Sequence, residues 1–77
     1  MNTVDTTQVE NARTRVHRLA EAAAQHAPIF DALQTSLPQV IRAYGLPESL
    51  QVQQQSTLCC LVVPAPFNIQ VCFSPPA

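Results

Sequence analysis

The sequence predicts an α+β fold, with two to three N-terminal helices packed on a small antiparallel sheet of two or three C-terminal strands. Three observations predict it. The hydrophobic period changes from 3.6 residues to 2 near residue 50. All four arginines and both histidines fall within the first 42 residues, and beyond Ala43 the only charged side chain is Glu48. Prolines and the single glycine stand between the periodic segments, where elements should stop and start.

Residues 1–6 read as a disordered lead-in. Thr7 followed by Glu10 fits a capping box opening a helix. Val9, Ala12, Val16, Leu19, Ala23 and Ala27 then recur at steps of three and four, a stripe thin in volume because half of it is alanine. Pro28 disfavours helical geometry in the residue before it, so this helix ends near His26 or Ala27. The same proline can open a second helix, whose apolar face is Ile29, Phe30, Leu33 and Leu37. Ser36 with Pro38 can begin a third, containing Val40, Ile41 and Tyr44 and ending at Gly45 in the left-handed conformation. Leu46 then folds back on the last turn. Leu50 and Val52 alternate with Gln51 and Gln53 as a half-buried strand, and Thr57 to Val63 is apolar on both sides. After Pro64-Ala65-Pro66, Phe67, Ile69, Val71 and Phe73 alternate with polar residues up to Pro75. Leu33, Leu37, Ile41, Leu46, Val52, Leu61 and Val63 are the expected core.

Composition narrows the function. A chain of 77 residues makes one small domain, burying about 60–65% of its unfolded surface. Only 12% of residues are charged, so nine glutamines carry much of the wetting of the surface. A net charge of −1 offers no basic patch for a nucleic acid, and none is expected as a partner. The longest apolar run, Leu58 to Val63, is too short to cross a bilayer, and the polar N-terminus lacks a signal-peptide core. No membrane association is expected, and the location is expected to be cytoplasmic.

The chemistry-bearing residues are sparse. Three cysteines without a secretion signal argue against a disulfide framework. Cys59 and Cys60 are adjacent, so on a strand they face opposite ways and cannot hold one metal ion. A buried free cysteine is the expected state of one of them. Cys72 sits on the polar side of a terminal strand, where a thiol would be accessible. The histidines lie in the other half of the chain, and no base is poised beside a nucleophile. Neither enzyme activity nor a metal or other cofactor is expected.

The motifs from Glu21 to Pro66 form an ordered series: Phe30, Leu33, Pro38, Val40-Ile41, then Tyr44-Gly45-Leu46-Pro47, Leu50-Gln51-Val52, and Thr57-Leu58-Cys59-Cys60-Leu61-Val62-Val63-Pro64 with Pro66. This series resembles the nitrile-hydratase-alpha-like leader peptides of ribosomally synthesised, post-translationally modified peptide precursors, over a little more than half of the chain. The hydratase activity itself is not carried over, because Val62-Val63-Pro64-Ala65-Pro66 stands where its metal-binding cysteine cluster would follow. The resemblance implies a folded leader over residues 7–66 and a C-terminal core peptide over 67–77. Cys72 and Ser74 would be the residues modified. Phe30, Leu33, Leu58, Leu61 and Val63 would dock a peptide-modifying enzyme or its leader-binding domain. The competing expectation is a stand-alone binding module, in which residues 67–73 complete the sheet and the alanine stripe packs on a partner or on a second copy as a homodimer.

Overall fold

A computed structural model describes residues 5–76. Three helices precede a three-stranded antiparallel sheet, the α+β arrangement expected: α1 (Thr6–Gln25), α2 (Ala27–Thr35), α3 (Leu37–Tyr44), β1 (Gln51–Gln55), β2 (Leu58–Val63) and β3 (Ile69–Phe73). Residues 1–4 of the expected lead-in lie outside the described residues. Its last two do not form a disordered end, since Asp5 caps α1 and Thr6 opens it.

The capping box is displaced by two residues from the expected one. The Asp5 carboxylate accepts from the Gln8 backbone N–H at 2.8 Å, and the Gln8 side chain accepts from the Asp5 N–H at 3.3 Å. An aspartate is a strong N-cap, and a glutamine three residues later serves as well as a glutamate. Of the expected stripe of α1, Val9 is half-buried and Ala27 is exposed at the start of α2, while Ala12, Val16, Leu19 and Ala23 are buried, joined by Ala20. Alanine there lets neighbouring backbones approach closely. Pro28 lies in the first turn of α2 and Pro38 in that of α3, where a missing N–H leaves no intrahelical bond unmade. Ser36 precedes α3 as expected but caps it through its backbone alone, its carbonyl accepting from Gln39 and Val40.

Gly45 ends α3 at φ +64°. The Leu46 N–H reaches the Ile41 carbonyl at 2.9 Å and the Gly45 N–H reaches that of Arg42 at 3.3 Å, the two bonds of a Schellman motif. Leu46 is buried as a result.

The sheet has the order β1-β2-β3. A two-residue turn joins the first hairpin, with Ser56 at φ +58°. Residues 64–68 join the second and include a cis Ala65–Pro66 bond. Strand β3 is shorter than the expected span, because Phe67 and Asn68 belong to that turn and their N–H groups bond the Pro64 carbonyl. One sheet face (Cys59, Leu61, Val63, Ile69 and Phe73) closes on Val16, Leu19, Leu33, Ile41 and Leu46 as a single core. Among the expected core residues Leu37 and Val52 are half-buried, and the others are buried.

Candidate functional site

The pleat divides the sheet into two unlike faces. Side chains alternate along each strand, so the residues between those of the core point the other way. On β2 these are Leu58, Cys60 and Val62, which the register places beside Gln51, Gln53 and Gln55 of β1 and Gln70 and Cys72 of β3. Leu58 is 39% exposed, the one exposed large hydrophobic side chain among the described residues.

Among the described residues only β2 pairs with β1, which forms a sheet edge. Its sequence Gln51-Val52-Gln53-Gln54-Gln55 contains no charge and no proline. Edge strands are usually protected by such residues or by a bulge. Every side chain of β1 except Val52 is exposed, and Val52 is half-buried. The open edge and the neighbouring Leu58 form an uncharged surface of the kind to which a strand can be added.

The expected docking residues separate. Leu33 is 2% exposed, and Leu61 and Val63 are fully buried, so these three are core and cannot present a surface to a partner. The reason lies in the pairing. The side chains of β2 that an enzyme would meet are those opposite to Leu61 and Val63 on the pleat. Phe30 is half-buried, its ring edge-to-face with Phe73 at 6.2 Å, while Leu58 is on the surface as a docking role requires.

Cys72 is not a free thiol. It lies directly across the hairpin from Cys60, with Cα atoms 4.0 Å apart, and the two form a disulfide. The odd cysteine count concealed this pairing. Once β2 and β3 are joined by a five-residue turn, residues 60 and 72 are cross-strand neighbours. The Gln70 amide donates a long hydrogen bond to Cys72 Sγ at 3.8 Å. Cys59 is the free cysteine, buried in the core as expected for one of the adjacent pair, and burial pushes its thiol above the ordinary value. Ser74 lies past the end of β3 and is exposed.

The fold also makes associations that the linear sequence concealed. His17 and Glu21 of α1 share a groove of about 300 Å³ with Val71, Cys72 and Phe73. With its sulfur in a disulfide, Cys72 supplies no nucleophile there. Among the described residues no three histidine, cysteine or acidic side chains gather as a metal site. No helix among them is long and apolar enough to cross a membrane. Arg15, unremarked in the sequence, donates from Nη1 to the Gly45 carbonyl at 3.0 Å across 30 residues.

Compared with family models, curated proteins and solved structures, the chain finds no match.

Proposed function

We propose that the chain is the folded leader of a ribosomally made, post-translationally modified peptide precursor, docked by its modifying enzyme at the β1 edge and Leu58. One observation carries the reading. The motifs of the leader resemblance fall in order on successive elements: Phe30 and Leu33 on α2, Gly45-Leu46 in the Schellman turn, and Thr57 to Val63 on and just before β2. The uncharged edge of β1 supports the docking mode, because an added strand gains main-chain hydrogen bonds without displacing a charge.

In this reading residues 69–73 belong to the leader fold, and the segment open to chemistry begins at Ser74. Cys72 becomes a substrate only after its disulfide is reduced. The enzymatic work resides in the partner, and this chain contributes recognition.

A stand-alone binding module is the second reading, favoured by one feature. β3 is sealed to β2 by the Cys60–Cys72 bridge and buries Ile69 and Phe73 against the helices, as a structural strand would. Mass spectrometry of the natively expressed, reduced protein separates the two. Loss of water mapped to Ser74, or loss of hydrogen mapped to Cys72, is expected of a precursor. An unmodified mass, with partner capture that is abolished by Leu58→Asp but survives removal of residues 74–77, would establish the module instead.

A further inference from the structure

We propose that a cavity lined by Arg15, Arg18 and Arg42 binds the phosphate group of a small molecule. The cavity measures about 470 Å³ and is formed by α1, the last turn of α3 and Gly45, without a strand residue. Three of the chain's four arginines therefore meet at one place in a protein whose net charge is −1. Not one of the five carboxylates lines it.

Magnitudes decide against a purely structural role. The C-terminal end of a helix carries about half a negative charge, which one guanidinium more than offsets. Arg15 already serves that end by bonding the Gly45 carbonyl, using one of its five N–H donors. Arg42, in the last turn of α3, offsets the same end, so Arg18 is not needed there, and it lies one turn from Arg15 on the same helix, where like charges repel. An excess of roughly two and a half positive charges suits a multiply charged oxyanion better than a single carboxylate. Guanidinium groups pair with phosphate oxygens through two parallel N–H bonds, a geometry that needs no buried site. Tyr44, half-buried in the wall, offers a ring against which an organic body attached to the phosphate could rest.

The test is an NMR titration of the intact chain with inorganic phosphate, pyrophosphate and ADP, at constant ionic strength maintained with sodium chloride. Saturable shifts are expected at the Arg15, Arg18 and Arg42 side chains, the Gly45 amide and the ring of Tyr44, the only tyrosine. Arg18→Gln and Arg42→Gln, both at exposed positions, should each weaken pyrophosphate about tenfold, the loss expected for one charge-assisted hydrogen bond. Their amide spectra should otherwise remain those of the folded protein. ADP binding at least as tightly as pyrophosphate assigns a phosphate ester as the ligand, and weaker binding assigns the free ion. Either result upholds the site. Shifts that fail to saturate, that sodium chloride reproduces, or that persist unchanged in both variants would overturn it.

Discussion

Gly45 carries two requirements at once. Its φ of +64° favours a residue without a Cβ, and a Cβ built there would lie 2.6 Å from Arg15 Nη1. The conflicting atom is the end of a flexible side chain, so Arg15 can withdraw at the expense of its hydrogen bond to the Gly45 carbonyl. Gly45→Ala is expected to cost about 1.5–3.5 kcal/mol in urea unfolding, from left-handed strain plus that bond. Gly45→Asn should cost less of the strain component, and in an Arg15→Ala background the alanine substitution should cost only the strain. Cys59 shows a different residue-scale effect. Burial raises its thiol pKa, so folding favours the neutral form. The unfolded chain therefore ionises first as pH rises. Stability from this group is complete below the ordinary thiol value of 9.0 and declines as pH climbs from there towards the raised folded value. A Cys59→Ala variant should lack that alkaline decline in a series of melting curves.

At the scale of elements, the start of α1 and the attachment of β3 make separate predictions. Because Asp5 accepts from Gln8 N–H, Asp5→Ala should lower stability by about 1 kcal/mol, whereas Thr7→Ala, inside the first turn, should leave the urea midpoint nearly unchanged. The reverse order would restore the cap at Thr7. The disulfide of β3 closes a loop with a sequence separation of 12. By the chain-entropy estimate a loop of this size stabilises by about 3 kcal/mol. Adding a phosphine reductant should therefore lower the urea midpoint, and Cys60→Ala should become insensitive to the reductant. Identical midpoints with and without reductant would show that β3 is held by packing alone. Reduction also frees the Cys72 thiol, which the proposed precursor role would need.

Across the whole molecule, the division between core and surface decides which leucines support the fold and which face solvent. Leu61→Ala removes a fully buried side chain and should cost about 2–5 kcal/mol, a large share of the stability of so small a domain. Leu58→Ala, at an exposed position, should alter the melting temperature little while weakening any docking at the sheet edge. Equal losses of stability would place Leu58 in the core and remove it from the candidate site. The distinction is invisible in the apolar run Leu58 to Val63, which reads the same on both faces. The pleat assigns Leu61 and Val63 inward. Pairing with β1 and β3 then leaves Leu58, Val62 and the cysteine bridge on the other face.

By itself the sequence determined the order and type of the elements, because those depend on neighbours a few residues apart. The change of period near residue 50, the prolines that open α2 and α3, and the glycine that ends α3 are all local, and each lies where it was expected. Local rules placed the cap less well, hence the shift of two residues from Thr7 to Asp5 at the start of α1. Only the tertiary structure decided what the elements bring together. The register of the second hairpin put Cys60 opposite Cys72 and turned an expected free thiol into a crosslink. The packing of α1 on α3 gathered Arg15, Arg18 and Arg42 around one cavity. The order of the strands left β1 open. These are relations between residues a dozen or more apart. Turn length and packing of the apolar face set them, and neither is written in the period of any single segment.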